Sequence, residues 1–203
     1  MIFFELGIVL SLSKDLRKDS EMRRLAWLIT GSMSAASIPG VLHSFRTGGI
    51  SIEVEPFLTK SASSIVTPTA VSALSGVSVQ YDLWDFDKES SPKHVLIENR
   101  YDAFVVAPAT LNFLTKFISC DCSTPLSLAL QCTKKPILLA PSLPPGGSSS
   151  VAYRRVESET EEWSNVSLLP PVDTTSVSNP KLSSAGFGSS ARLIDFVLRS
   201  LES

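Results

Sequence analysis

The stretch VVAPATLN at residues 105–112 joins an apolar strand to a polar turn, and it decides the fold. The run from 103 to 107 is apolar on both faces, which is typical of a strand buried in a parallel sheet between two layers of helices. The strand ends in Pro108, Ala109, Thr110 and Asn112 instead of the glycine or aspartate of an ordinary turn. Because open α/β sheets bind ligands at the carboxyl ends of their strands, a ligand is one candidate reason for this turn.

Composition favours one globular domain. The chain has 203 residues, of which 43% are hydrophobic and 19% charged, with a formal net charge of -2. A chain of this length and apolar content can bury a substantial core. The charge has no single-sign excess, and no basic run alternates with aromatic residues, so we exclude a nucleic-acid-binding protein.

The cysteines and histidines predict neither disulfides nor a metal site. Cys120, Cys122 and Cys132 are too few and too clustered for a disulfide framework, and His43 and His94 do not complete a zinc pattern. We therefore expect no metal and a reducing, cytoplasmic environment.

The first segment, residues 1–21, is predicted to be either a tail or an extension that arises because the start codon is assigned too far upstream. It begins with an apolar stretch, but it lacks the basic region and the small-residue cleavage site of a signal peptide. The stretch is also too short to span a membrane, so no membrane partner is expected. The regular pattern begins at Met22, and we predict a single domain over 22–203.

From Met22 onward, strand-like runs alternate with helix-like stretches, which indicates βαβ units around a parallel sheet. The stretch 93–99 has an ambiguous period, and 144–190 is polar and rich in Gly, Ser and Pro, so we predict a loop or lid excursion there. An amphipathic helix closes the chain over 189–202. The predicted strands are 24–30, 50–58, 103–107 and 136–141, and the predicted helices are 34–47, 59–65, 68–74, 111–118 and 123–131.

The first predicted strand ends in TGSMSA, from Thr30 to Ala35. Backbone amides of such a turn, the hydroxyls of Ser32 and Ser34 and the helix dipole would suit a phosphate. An ordinary strand-to-helix turn is equally consistent with these residues, because the three-glycine dinucleotide fingerprint and the lysine of a P-loop are both missing.

Two further motifs carry little weight by themselves. GFGSSA at 186–191 matches a dinucleotide pattern, but the strand and acidic residue that should follow are missing, so we discard it. His94 precedes the central strand, and a single histidine of this kind is more often structural than catalytic.

Four features occur in a fixed order: LITGSMSA at 28–35, TKSASSIVTPTAVSALSG at 59–76, a histidine before the central strand, and VVAPATLNFLTKF at 105–117. Over about residues 24–143 they resemble the homo-oligomeric flavin-containing cysteine decarboxylases. That family includes phosphopantothenoylcysteine decarboxylases and enzymes that oxidatively decarboxylate the C-terminal cysteine of ribosomally made peptides. The resemblance implies an α/β, flavodoxin-like, Rossmann-type three-layer sandwich with a central parallel sheet, and FMN as the cofactor.

The resemblance also implies roles for individual residues. His94 matches the active-site histidine of the family, and Asn112 matches the asparagine that helps to hold the substrate carboxylate. PATLNF stands where the family carries its PASANT loop, so the segment from Pro108 to Asn112 is expected to face the flavin. The expected cofactor-binding residues are Gly31, Ser32 and Ser34 at the phosphate, Thr59 and Ser61 in the second loop, and Pro108, Ala109 and Thr110 at the flavin.

These roles agree with the chemistry of the family. A cysteine thiol has an ordinary pKa of about 8.5, and a nearby imidazole can accept its proton. The flavin then oxidises the cysteine, carbon dioxide leaves, and an enethiolate remains. The protein orients the thiol and anchors the carboxylate.

The chain departs from the family at three places. The substrate clamp PxMNxxMW is replaced by PSLPPGGSSS at 141–150, where Pro141 alone is retained. The lid cysteine of the coenzyme A branch is missing, because 182–190 reads LSSAGFGSS and no cysteine follows Cys132. Ser123 and Thr124 stand where relatives often have Asp-Asn or Asn-Asp.

We therefore expect an FMN-dependent decarboxylase that acts on a precursor peptide ending in cysteine and gives an aminoenethiol for lanthipeptide-like, linaridin or thioamide-bearing products. The alternatives are a phosphopantothenoylcysteine decarboxylase-like enzyme, a flavin prenyltransferase and a non-catalytic regulatory flavoprotein. The resemblance implies a homo-oligomer, a trimer or dodecamer with active sites between protomers, in which apolar surface along 59–76 would be buried.

Overall fold

The computed structural model describes residues 22–84, 92–176, 179 and 181–202. The predicted tail at 1–21 lies outside these residues.

A mostly parallel sheet forms the centre of the molecule. The order β3-β2-β1-β4-β5 places five parallel strands side by side. Beyond them, β6 pairs in parallel with the start of β5, while β8 pairs antiparallel with its end and carries β7. The predicted α/β class is thus confirmed. The strands are β1 (Arg23–Ile29), β2 (Ile52–Leu58), β3 (Gln80–Tyr81), β4 (Ala103–Thr110), β5 (Ile137–Leu143), β6 (Val166–Leu168), β7 (Val172–Thr175) and β8 (Ser183–Gly186).

Helices cover both faces of this sheet. Short 3-10 turns at Met33–Ser37 and Ala62–Ser64 follow the first two strands. The helices are α1 (Ile38–Thr47), α2 (Pro68–Ser75), α3 (Lys93–Arg100), α4 (Leu111–Ile118), α5 (Pro125–Cys132), α6 (Val151–Glu161) and α7 (Ser190–Glu202).

The alternation of side chains along β1 builds two cores. Leu25, Trp27 and Ile29 pack with residues of α1, α2 and α7 on one face, while Ala26 and Leu28 pack with residues of α3 to α6 on the other. Successive strand residues point to opposite faces, so an apolar strand buried on both sides serves both layers. Each fully buried leucine or isoleucine stabilises the fold by roughly 1.5–3 kcal/mol.

Local sequence signals begin the helices as predicted. Pro39 lies in the first turn of α1. The hydroxyl of Thr67 accepts the Ala70 N–H at 3.2 Å, and Pro68 opens α2. Proline suits this position because its missing N–H would have no partner in the first turn.

Two predicted segments differ from the structure. The helix expected over 59–65 is wrong, because only the 3-10 turn Ala62–Ser64 forms there. The ambiguous stretch 93–99 is helical, as α3, and the Glu55 carboxylate holds its carboxyl-terminal end. Glu55 accepts hydrogen bonds from Arg100 Nε at 3.0 Å and from the Tyr101 hydroxyl at 2.6 Å.

The loop predicted for 144–190 is wrong over much of its length. Helix α6 packs against α4, and its Tyr153 and Val156 are buried. Strand β6 then joins the central sheet beside β5, and β7 and β8 form a hairpin. These elements depend on long-range packing, which the Gly, Ser and Pro content of the segment does not reveal.

None of the helices in the described part of the chain combines the length and apolar character needed to cross a membrane.

Candidate functional site

The strand order places a switch point between β1 and β4. The chain proceeds from β1 outward to β2 and β3, and then returns to the other side of β1 to form β4. The loops that follow the carboxyl ends of β1 and β4 therefore lead away from each other, and a crevice opens between them. Such a crevice is where open α/β sheets bind their ligands.

Two cavities open at this edge of the sheet. The first, of about 600 Å³, is lined by Thr30, Thr59, Ser61, Thr110 and Asn112, among others, and we call it the switch-point cavity. The second, of about 480 Å³, lies under the β7–β8 hairpin, and we call it the hairpin cavity. Thr110 and Asn112 line both cavities, so the two spaces meet at the start of α4.

The turn after β1 brings three hydroxyl groups together at the hairpin cavity. Ser142 Oγ, at the end of β5, lies 2.7 Å from Ser32 Oγ and 3.2 Å from Ser34 Oγ. Ser32 also accepts the Ser34 N–H at 3.3 Å. Three hydroxyl protons serve two contacts between oxygens, so at least one proton is left to donate to a ligand oxygen.

The loop after β2 lies directly against this turn. A Cβ atom at Gly31 would come within 2.5 Å of the Ser61 side chain, so glycine is required for this close approach. Thr59 Oγ1 lies 3.2 Å from Ser61 Oγ and accepts the Ala62 N–H at 3.2 Å. Two predicted cofactor-binding loops therefore form one continuous surface.

The end of β4 presents only part of the predicted loop. Thr110 Oγ1 accepts the Phe113 N–H at 3.3 Å and thereby begins α4, which leaves Asn112 exposed in its first turn. Pro108 and Ala109 are buried within β4 and are not among the residues that line either cavity. The expected contact of these two residues with the flavin therefore stays a prediction.

His94 lies outside the lining of the two cavities. It sits in the first turn of α3, where its ring meets the Trp84 ring edge-on at a centroid distance of 6.0 Å. Its Nδ1 atom is buried and has no hydrogen-bond partner. His94 is not among the residues that line either cavity. The two predicted catalytic side chains therefore do not line a common cavity within the described residues of one protomer.

Asp82 is a cavity residue that the sequence did not suggest. Its buried carboxylate accepts hydrogen bonds from Thr124 Oγ1 at 2.7 Å and from the Leu126 N–H at 2.9 Å. Burial raises the pKa of this carboxyl above its ordinary value, although both hydrogen bonds and nearby Lys93 oppose the shift. These contacts also give Thr124 a structural role, because it is both the N-cap of α5 and a partner of Asp82.

Ser142 is the other missed residue, and its position directly after Pro141 was the available signal. A single serine beyond the last core strand indicates nothing until the fold places it beside the turn after β1. No group of three or more His, Cys, Asp or Glu side chains able to hold a metal ion occurs among the described residues.

A larger cavity, of about 1050 Å³, opens at the opposite edge of the sheet. Arg23, Arg24, Asp102 and Pro136 line it, and these residues lie at or just before the starts of β1, β4 and β5. The amino ends of parallel strands are not where this architecture binds ligands, so size does not identify the site here.

The flavoprotein family model matches residues 13–199, and the chain therefore belongs to the flavoprotein family. Membership confirms the flavodoxin-like fold and the flavin cofactor that the resemblance implied. Of individual proteins, the cypemycin cysteine dehydrogenase (decarboxylating) of a Streptomyces species is 28% identical over 160 residues, which cover 78% of this chain and 82% of that protein.

Solved structures agree with this assignment. The FMN-dependent cysteine decarboxylase TvaF from thioviridamide biosynthesis is 26% identical with a TM-score of 0.63, covering 72% of this chain and 90% of that one. A PPC decarboxylase variant complexed with pantothenoylaminoethenethiol has a TM-score of 0.76 at 20% identity, covering 90% of this chain and 100% of that one. At that identity the likeness concerns the fold alone.

Proposed function

We propose that this protein is an FMN-dependent enzyme that oxidatively decarboxylates the C-terminal cysteine of a ribosomally made peptide and yields an aminoenethiol. One observation carries the proposal. In a chain of the flavoprotein family, the turn after β1, the loop after β2 and Asn112 come together at two adjoining cavities on the switch-point edge.

The residues at this edge fit FMN. The hydroxyls of Ser32, Ser34 and Ser142 form a cluster suited to phosphate oxygens, and Gly31 allows the loop of Ser61 to close against it. Thr59 and Thr110 border the adjoining space, which would hold the ring system.

When bound, FMN supplies a two-electron acceptor for the cysteine side chain. His94, which is half-buried, would hold the thiol proton, because an imidazole nitrogen can accept it from a thiol with an ordinary pKa of about 8.5. Asn112 donates its amide N–H groups to the peptide carboxylate and so fixes the cysteine next to the cofactor.

The position of His94 outside the lining of both cavities supports a homo-oligomer, in which one protomer supplies His94 to the site of another. Beside His94 lies a patch of exposed apolar side chains: Tyr81, Leu83, Val95 and Leu96 are 44%, 55%, 40% and 40% exposed. Contiguous apolar surface of this kind marks an interaction site. We place the subunit contact here rather than along 59–76, where Ile65 and Leu74 are half-buried.

A charge on this patch tests the assembly. Leu96→Glu should give a smaller species by light scattering and lose turnover, because a buried carboxylate without a partner opposes association. Val151→Glu, at a side chain 74% exposed on α6, is the matched control and should leave the mass unchanged. A monomeric wild-type protein with full activity would contradict the shared site.

The peptide would enter through the hairpin cavity. Residues of β7 and β8, including Thr174 and Ser184, form one wall, and Pro144 and Pro145 form another. These prolines stand where the family has its clamp motif, so the hairpin takes over part of the grip. Ribosomes make such a peptide in the cytoplasm, where we place the reaction.

The test is mass spectrometry of synthetic peptides ending in cysteine, after incubation in air with the FMN-loaded protein. The expected product has lost carbon dioxide and two hydrogen atoms. The chain contains two histidines, so His94→Asn has a matched control in His43→Asn, on the exposed face of α1. We expect the first variant to lose turnover and the second to retain it.

Two alternatives have distinct outcomes. A saturated thiol product from phosphopantothenoylcysteine would favour the coenzyme A branch, whose fold the chain shares. A non-catalytic flavoprotein would be favoured by two results together. The FMN-loaded protein would leave every substrate unchanged, and His94→Asn would not alter the binding of any partner.

A further inference from the structure

The pairing of β1 with β4 stops before β4 ends. The parallel register runs from Leu25 opposite Ala103 to Leu28 opposite Val106. β4 continues to Thr110, and its register against β5 shifts between Val106 and Ala109. Backbone groups in this last part of β4 are buried, so they need partners other than the ladder with β1.

The side chains of Trp27, in β1, and of Thr30, directly after β1, supply these partners. Trp27 Nε1 donates to the Ala107 carbonyl at 2.9 Å. The Thr30 hydroxyl donates to the Pro108 carbonyl at 2.6 Å and accepts the Thr110 N–H at 3.1 Å. Thr30 is only 3% exposed, so one buried hydroxyl bridges both sides of Ala109.

The same hydroxyl joins the two loops that border the site. Thr30 directly precedes Gly31 and the hydroxyl cluster of the turn after β1. Thr110 begins α4 through its own cap and carries Asn112 two residues further on. A displacement of Thr110 relative to Thr30 would therefore change the distance between the phosphate hydroxyls and the carboxylate-binding amide.

We infer that Thr30 is a positioning residue, which fixes the Thr110–Asn112 segment relative to the Gly31–Ser34 turn. The inference rests on the proposed function for its consequence in binding and catalysis. Thr30 acts through the backbone of β4, because its single hydroxyl proton is donated to the Pro108 carbonyl and its oxygen accepts the Thr110 N–H.

The test compares three substitutions at this position. Thr30→Val keeps the shape but leaves the Pro108 carbonyl and the Thr110 N–H unpaired, whereas Thr30→Ser keeps the hydroxyl. Thr30→Ala removes the hydroxyl without placing a methyl group against the Pro108 carbonyl. It replaces Thr30→Val in the comparison if the valine variant does not fold.

Thr160→Val is the matched control. Thr160 is also buried, at 4% exposed, and its hydroxyl also donates to a backbone carbonyl, that of Val156, at 2.7 Å. It lies in α6 and lines neither cavity. Thr160→Val therefore measures what the loss of one buried threonine hydrogen bond costs in stability when the site itself is unchanged.

Three quantities are measured: hydrogen exchange of the 109–113 amides in the ligand-free protein, FMN affinity by fluorescence quenching, and KM and kcat for a cysteine-terminated peptide. Thr30→Val should raise the exchange rate and weaken FMN binding by about tenfold or more, the effect of an unpaired buried group. KM should rise more than kcat falls, because Asn112 binds the carboxylate. Thr30→Ser should stay within about threefold of the wild type.

Equal exchange and equal FMN affinity in Thr30→Val and the wild type would overturn the positioning role, as would an equal loss in Thr160→Val. Failure of the wild type to bind FMN would overturn the proposed function instead, and the exchange rates would still decide the role of Thr30.

Discussion

The carboxylate of Asp82 accepts a 2.7 Å hydrogen bond from the hydroxyl of Thr124, which lies 42 residues further along the chain. A second hydrogen bond, from the Leu126 N–H at 2.9 Å, makes Asp82 a cap of α5 supplied from outside the helix. This contact closes one wall of the switch-point cavity.

The raised pKa of Asp82 predicts how stability changes with pH. Because the folded-state pKa lies above the ordinary value of 3.8, the protonated form favours folding, and this contribution is lost as the pH rises through the folded-state value. Asp82→Asn removes the titration and retains an acceptor for Leu126. We expect the wild type to lose stability relative to this variant as the pH rises above about 4, measured by urea unfolding.

Asp173→Asn, on the exposed strand β7, is the matched control for the loss of one carboxylate. A difference between wild type and Asp82→Asn that is constant, or that grows in favour of the wild type as the pH rises, would contradict this prediction.

Cys120 predicts a stabilising substitution. It follows α4 with a φ of 57°, and its N–H donates to the Phe117 carbonyl at 3.1 Å, while the next N–H donates to Lys116 at 3.0 Å. A left-handed residue at this position is usually glycine. Cys120→Gly should raise the free energy of unfolding by about 1 kcal/mol, and Cys120→Ala, which keeps the steric conflict, should not. Equal stability of both variants would show that the backbone relaxes without cost.

Gly31 predicts a selective loss of cofactor binding. A methyl group there would overlap Ser61, which must then move away from the turn. Gly31→Ala should weaken FMN binding by about tenfold or more, measured by fluorescence quenching. Gly40→Ala is the matched control, because a Cβ there meets nothing within 4 Å, and it should stabilise α1 by roughly 0.5–1 kcal/mol without changing the affinity.

Ser142 predicts discrimination between FMN and riboflavin. A hydrogen bond to a charged phosphate contributes about 1.5–3 kcal/mol, and riboflavin has no phosphate to receive it. Ser142→Ala should therefore lower the affinity for FMN at least tenfold and leave that for riboflavin unchanged. Ser44→Ala, in α1, is the control. An equal loss for both flavins would place Ser142 away from the phosphate.

Much of the fold follows from local patterns. The helix 111–118 agrees in both limits with α4, because Thr110 caps it and its apolar residues recur on one face. The strands β1, β4 and β5 follow from apolar runs buried on both sides. By contrast, β6 has three half-buried residues and exists because β5 offers it an edge. No property of Val166 to Leu168 alone reveals that partner.

Sequence reasoning could suggest those parts of the site that lie within one segment. Gly31 to Ser34 and Thr59 to Ser61 line the two cavities, and their contacts with the cofactor stay predictions. The roles of Asp82 and Ser142 depend on Thr124, Ser32 and Ser34, which are distant in sequence. The joint role of His94 and Asn112 in one active site stays a prediction.

The free edges of the sheet determine how copies of this protein can associate. Among the described residues, the strands paired on one side only are β3, β6 and β7, with two, three and four residues. β2 also has a free edge over 52–56, because β3 pairs only with Phe57 and Leu58, but these residues are buried or half-buried and include Pro56. Edges that are this short, or that are covered and contain a proline, are poor templates for the addition of a foreign strand. Contacts between copies are therefore expected to use side chains and not backbone ladders, and the chain should resist the edge-to-edge aggregation that long unpaired strands promote.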